Sequence, residues 1–296
     1  MKLKAHLNKE STAGVIFTLP FILGFLLFMV VPMGISLYYS FCDYNILSPP
    51  KFVGLKNHLA VLTDETFYKA IGVTFYYALV SVPLRLIFAL LVAMILLKST
   101  KATGFYRAAY SLPSIIGGSV AVSILWKRMF AMDGVVNSLL SLFGIHSELS
   151  WLGDTRTAIW VLILLAVWQF GSSMLIFLSS LKQIPVTLYE AARVDGAGKL
   201  RQFKDITLPL LTPTIFFNLV MQMINGFLAF TQSYIITQGR PMNSTLFYTV
   251  YMYQQSFEFY NTGYGAMLAW IMLAIVGMIT LVLFATKKFW VYEGGF

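Results

Sequence analysis

Charge is scarce in this sequence. Of its 296 residues only 11% are Asp, Glu, Lys or Arg, against 58% hydrophobic, whereas a soluble domain carries about 25% charged and roughly 45–50% apolar residues. That shortage excludes a soluble globular protein. The single cysteine, Cys42, excludes an internal disulfide framework and any multi-cysteine metal site. The three histidines, His6, His58 and His146, are dispersed with no metal-ligand spacing, so no metal site is expected. Acidic residues are absent from the long apolar runs, where a proton- or sodium-driven carrier would usually place Asp, Glu or His. No cluster of His, Asp, Glu or Cys gathers near one end of those runs, as an enzyme acting on lipid would need. Net charge is +9, which on a soluble chain would raise nucleic-acid binding; here the location of the basic residues matters more than their sum, and no nucleic-acid partner is expected.

What is present is a series of uncharged runs, at 11–42, 86–97, 108–126, 157–181, 206–239 and 259–286. Most reach the roughly 20 apolar residues that cross a bilayer. The run from Gly14 to Ser40 is too long for a signal-peptide core, and no A-x-A cleavage pattern closes it, so it reads as a first membrane helix. Six spans are expected, over about 14–40, 70–97, 106–126, 157–181, 208–231 and 265–286. Pro83 and Arg85 interrupt the second, and a membrane helix tolerates proline where neighbours satisfy the freed carbonyl. Continuous rather than alternating apolarity excludes barrel strands. The expected fold class is therefore all-α integral membrane, as one transmembrane domain over 1–296 in a multi-pass chain.

Basic residues set the orientation. Segments 1–13, 98–107, 182–205 and 287–296 hold 13 basic and 5 acidic residues, while 43–69, 127–156 and 240–258 hold 7 of each. The N-terminus and C-terminus are both expected to be cytoplasmic, and no connection is long enough for an independent folded module.

The connection between spans four and five carries the most information. It runs from Pro185 through Glu190-Ala191-Ala192-Arg193-Val194-Asp195-Gly196 to Ile206-Thr207-Leu208-Pro209. Thr187 with Glu190 three residues later has the spacing of a capping box, which predicts a helix start at Thr187. Gly196 can end that helix in the left-handed conformation. Leu200, Phe203 and Ile206 then give a second segment one apolar stripe, with Lys199, Arg201 and Lys204 between them. Gly198-Lys199 does not form a phosphate loop: Walker A needs an earlier Gly where Arg193 stands and Ser or Thr where Leu200 stands.

The pattern E-A-A, three residues, G, nine residues, I-x-L-P is met by Glu190, Ala191, Ala192, Gly196, Ile206, Leu208 and Pro209. It resembles the EAA loop of ABC importer permeases. Gln183-Ile184-Pro185, Thr207-Leu208-Pro209-Leu210-Leu211 and Thr237-Gln238-Gly239-Arg240-Pro241 narrow the likeness to maltose-type carbohydrate permeases, with Arg240 departing from the usual Gly-Gly-Pro. The resemblance implies a type I importer fold, with Glu190, Ala191, Ala192, Asp195 and Gly196 docking an ATP-binding subunit. It also implies a second related permease, two ATP-binding subunits, and an extracellular or periplasmic substrate-binding protein delivering a sugar, all at a bacterial plasma (inner) membrane. ATP and Mg would sit on the partner ATPases, with no cofactor and no catalysis in this chain. Glu190 can also cap its own helix, and the two roles are compatible.

Polar residues inside the spans are the remaining signal, since each must face protein or a water-filled cavity. Asn218, Gln222, Asn225, Ala229 and Gln232 fall on one helical stripe, and Gln169, Ser172 and Ser173 group beside Trp168. Amides and hydroxyls suit sugar hydroxyls, and an indole can cover a sugar face; interhelical hydrogen bonding accounts for the same residues equally well. Offset from the loop in maltose-type permeases implies a substrate path at Gln169, Ser172, Gln222, Asn225 and Gly226, with Ser173 adjoining. Spans four and five carry no charge, which predicts a neutral ligand. Arg85 can line a cavity, snorkel, or pair with carbonyls. The tyrosines Tyr248, Tyr251, Tyr253, Tyr260 and Tyr264 read chiefly as an interfacial belt.

Overall fold

A computed structural model describes residues 10–97, 103–144 and 150–292. The two chain ends, expected to be cytoplasmic, fall outside the described residues. Among the described residues four helices are long and apolar enough to cross a bilayer on their own, and two bent helix pairs, each taken as one span, bring the total to six. By its contacts the chain divides into two compact units, Met1–Asp64 with Met252–Leu273 and Glu65–Tyr251 with Ala274–Phe296.

In the first unit, α1 (Glu10–Phe25) runs through a π-turn at Leu26–Val30 into α2 (Val31–Ser40). The π-turn ends two residues before Pro32, whose missing N–H removes one helical hydrogen bond there. The most apolar stretch of Gly14–Ser40 is not buried anywhere in the chain, and Phe17 and Phe28 are 85% and 84% exposed. A helix apolar on all sides belongs in lipid or against another protein. Strands β1 (Cys42–Asp43) and β2 (Lys51–Phe52) pair antiparallel, with Cys42 opposite Phe52. Asn57, in α3 (Lys56–Ala60), closes this end by donating from Nδ2 to the Ser40 and Cys42 carbonyls at 3.0 and 2.9 Å.

The second unit is built around α4 (Glu65–Ile95). Six of its ten buried residues, Ala70, Thr74, Ala78, Ser81, Ala89 and Ala93, are small, and small residues let membrane helices approach closely. Against α4 pack α8 (Ala158–Trp168), α9 (Gly171–Gln183) and α12 (Leu208–Phe227). Between α4 and α8 in the chain lie α5 (Thr103–Ile116), α6 (Val120–Met129) and α7 (Val135–Leu142); between α9 and α12 lie α10 (Val186–Val194) and α11 (Lys199–Gln202). A short α13 (Tyr248–Tyr253) and the long α14 (Thr262–Trp290) complete the chain. A Cβ on Gly226 would already touch Ala78 and Val82 at 3.4 Å, which marks how closely α12 crosses α4.

Three expected spans change shape. Span three is a pair, α5 and α6, bent by 98°; Gly117 and Gly118 make the break, and Ser119 caps α6 by accepting from the Val122 N–H at 3.3 Å. Span four is α8 and α9, bent by 41° at Gln169 and Phe170. Span five starts earlier than expected, because α11 runs through a π-turn at Phe203–Thr207 directly into α12 as one 29-residue helix, Lys199–Phe227. The π-turn precedes Pro209, as the first one precedes Pro32.

Candidate functional site: a polar cavity between two broken helices

Breaking a helix at membrane depth strands backbone groups where no bulk water can satisfy them. At the α8/α9 break, side chains do so. The Gln169 carbonyl accepts a hydrogen bond from Arg85 Nη2, which reaches across from α4. The Gln169 amide in turn donates from Nε2 to the Gly117 carbonyl at 3.1 Å, so the two broken helices are tied to each other. The fit requires glycine: a Cβ on Gly117 would lie 2.4 Å from Gln169 Cγ, and one on Gly171 would lie 2.3 Å from the Tyr110 carbonyl oxygen.

These breaks border an open cavity of about 330 Å³. Ser114 and Gly118 reach it from the α5/α6 break, Gln169 and Ser172 from the α8/α9 break. Gln222, Asn225 and Gly226 come from α12, followed by Ala229 and Gln232 beyond its end at Phe227. From α4 come Tyr77, Ser81 and Arg85. Five of the six expected path residues, Gln169, Ser172, Gln222, Asn225 and Gly226, are thus brought together. Ser173 is not on the wall: it is fully buried and accepts from Gln222 Nε2 at 3.1 Å, fixing the amide from behind. The stripe on span five also divides. Asn218 is buried and donates to the Thr214 carbonyl at 3.0 Å, satisfying its own helix.

Sequence reasoning missed Tyr77, Ser81, Ser114 and Gly118. A signal existed for the first two, since Tyr77, Ser81 and Arg85 recur every four residues and so share one face of α4. The wall is also not free of charge. The absence of charged side chains from spans four and five holds, but span two supplies Arg85.

The segment 185–209 forms a second construction. Helix α10 begins at Val186 with Pro185 as its N-cap and no side-chain cap, so the capping box expected at Thr187 is not formed. The N-cap falls two residues too early for it, because Pro185, at φ −59° and ψ 131°, already turns the chain into the helix and places Thr187 inside the first turn. The far end follows expectation. Gly196 lies at φ +75°, the Ala197 N–H donates to the Ala192 carbonyl at 2.8 Å and the Gly196 N–H to that of Arg193 at 3.0 Å. Together these are the two bonds of a Schellman stop. Tyr189 and Thr207 share a hydroxyl hydrogen bond of 2.9 Å, and Gln202 Nε2 donates to the Ala197 carbonyl at 2.8 Å, so α10 and α11 hold each other.

Glu190, Ala191, Asp195 and Gly196 are exposed and Ala192 is half-buried. Apolar Val186, Val194 and Leu200 are exposed around them. Among the described residues the Glu190 carboxylate has no hydrogen-bond or ion partner. Arg201 and Asp205 form an exposed pair at 3.4 Å. Among the described residues no group of His, Cys, Asp and Glu is arranged to hold a metal ion.

Residues 65–288 match the family described as binding-protein-dependent transport system inner membrane component. The chain is 51% identical over 295 residues to the probable ABC transporter permease protein YesP of Bacillus subtilis (strain 168), covering 99% of this chain and 96% of that protein. It is 30% identical to the probable starch degradation products transport system permease protein AmyD of Thermoanaerobacterium thermosulfurigenes, over 97% of this chain and 98% of that one. In fold it is similar to a chain of the bacterial alginate ABC transporter solved in complex with an alginate pentasaccharide-bound periplasmic protein. The TM-score is 0.83 at 21% identity, covering 97% of this chain and 98% of that chain.

Proposed function

We propose, on the premise that this chain belongs to the family of binding-protein-dependent transport system inner membrane components, that it is the membrane-spanning permease subunit of an ATP-driven importer of a sugar or oligosaccharide. The observation that carries the reading is the convergence of Gln169, Ser172, Gln222 and Asn225 on one cavity bounded by two broken spans. Amide and hydroxyl groups donate and accept at once, which is the chemistry that sugar hydroxyls require. The names of relatives such as AmyD support the substrate class.

In this reading Glu190, Ala191, Ala192, Asp195 and Gly196 meet an ATP-binding subunit on the cytoplasmic side. The unpartnered Glu190 carboxylate and the exposed Val194 and Leu200 suit a docking surface. ATP and Mg are bound by two such subunits, the chemistry happens there, and a second related permease closes the cavity from the other side. A substrate-binding protein delivers sugar at the outer face of a bacterial plasma membrane, and both termini of this chain lie inside, as the basic connections require.

The test is reconstitution of the whole complex in proteoliposomes. Sugar-loaded binding protein should stimulate ATP hydrolysis and drive uptake; hydrolysis indifferent to the loaded binding protein would overturn the reading. Reporter fusions at 195 and 290 should read cytoplasmic and those at 55 and 250 external. An external signal at 195 would place the segment out of reach of any ATPase.

A further inference from the structure

Arg85 carries more charge than its visible task requires. That task is to satisfy the Gln169 carbonyl left by the helix break, and a neutral amide does the same job a few ångströms away, where Gln169 itself serves Gly117. A cation at membrane depth is costly unless it is paired. Among the described residues no carboxylate lines the cavity, and the salt bridges, Arg128 with Asp133 and Arg201 with Asp205, are exposed and elsewhere in the chain.

The guanidinium also keeps unused donors. It has five N–H groups in a planar fork. One Nη donates to Gln169 and Nε is buried with no hydrogen-bond partner, while the second Nη, neither bonded nor buried, is the donor that a ligand in the cavity can reach. The remaining wall, Ser81, Ser172, Gln222 and Asn225, is uncharged and polar. A positive fork set among neutral amides and hydroxyls matches a ligand with one carboxylate among many hydroxyls.

We propose that Arg85 makes this cavity selective for saccharides containing uronic acid, with its guanidinium pairing the sugar carboxylate during passage. The inference rests on the reading of the cavity as the sugar path. It replaces the neutral ligand expected from spans four and five alone, because the charge arrives from span two.

The experiment uses the intact complex of this chain with its partner permease and ATPases, held in nanodiscs without binding protein. It is titrated calorimetrically with trimers of galacturonate, mannuronate and glucuronate, with their methyl esters, and with maltotriose. The wild type should bind at least one acid about tenfold or more tightly than its ester, a difference of about 1.4 kcal/mol. Arg85→Gln keeps an amide donor for the Gln169 carbonyl, so the complex should assemble, measured by ATPase co-purification, yet bind acid and ester equally. Arg85→Lys should restore part of the preference, because it returns the charge without the fork. If Arg85→Gln retains the wild-type preference, or if the wild type binds esters or maltotriose as well as acids, the selection is overturned while the sugar path stands. If no sugar binds at all, the path itself fails and the inference with it.

Discussion

This protein interrupts its helices in two contrasting ways. At Gly196 the chain stops α10 with backbone alone: a left-handed glycine and two main-chain hydrogen bonds, from Gly196 and Ala197, complete the turn. At Gln169 the chain bends between α8 and α9 and backbone alone does not suffice, so Arg85 and the Gln169 amide are recruited from side chains. The difference follows from the surroundings. An exposed turn can leave leftover groups to water, whereas a turn at membrane depth must find every partner in protein. A polar cavity is the by-product of the second solution, since the side chains that repair the break also furnish its wall.

The largest expected effect comes from removing the first interruption. Gly196→Pro cannot adopt a positive φ and loses the N–H that reaches Arg193. The chain should still insert in the membrane, but ATPase co-purification and uptake should be abolished. Glu190→Lys should act alike through lost docking, since no helix cap is at stake. Normal co-purification and uptake in both would make these ordinary helix-turn residues.

A graded effect is expected at the cavity. Asn225→Leu and Gln222→Leu should both assemble, hydrolyse ATP and lose uptake. Gln222→Leu should in addition lower stability by about 1 kcal/mol, because its amide bonds buried Ser173, whereas Asn225 is exposed to the cavity. Unchanged uptake kinetics in both variants would assign the stripe to helix packing.

The second interruption can be tested through its glycines. At Gly171 a Cβ meets main-chain atoms of Tyr110 and Ser111 that cannot step aside. Gly171→Ala should therefore destabilise the detergent-solubilised protein by about 1–3 kcal/mol. Gly196→Ala meets nothing within 4 Å, so it should show the strain of a positive φ alone, about 1 kcal/mol. Equal thermal shifts for the two would erase the distinction between a crowded break and an open one. The smallest effect belongs to Thr187→Ala, at less than about 0.5 kcal/mol, since Pro185 starts α10 without a hydroxyl cap.

Much of this was legible in the sequence, and the exceptions have physical causes. The spans announce themselves because hydrophobic length is a property of local sequence. Gly196 could be placed because a glycine closing an amphipathic run has few other uses. The capping box failed because Thr187 and Glu190 have the right spacing but Pro185 takes the N-cap position two residues earlier. The bends at Gly117 and Gln169 are not visible in apolar content, which continues through both. They depend on Arg85 and Gln169, 84 residues apart along the chain, meeting in space. The same distance hid the cavity's charge: a count confined to spans four and five could not include a residue contributed by span two.

The π-turn at Phe203–Thr207 has a mechanical meaning. Because the chain passes through it without a loop, Lys199–Phe227 is one rod from the segment beside α10 to the cavity wall. At about 1.5 Å per residue, Gln222 stands roughly 35 Å along that rod from Lys199. A continuous helix of this length links a displacement at Lys199 to the segment that carries Gln222 and Asn225. At Gly226, where a Cβ would lie 3.4 Å from Ala78 and Val82, the far end of that rod is set closely against α4.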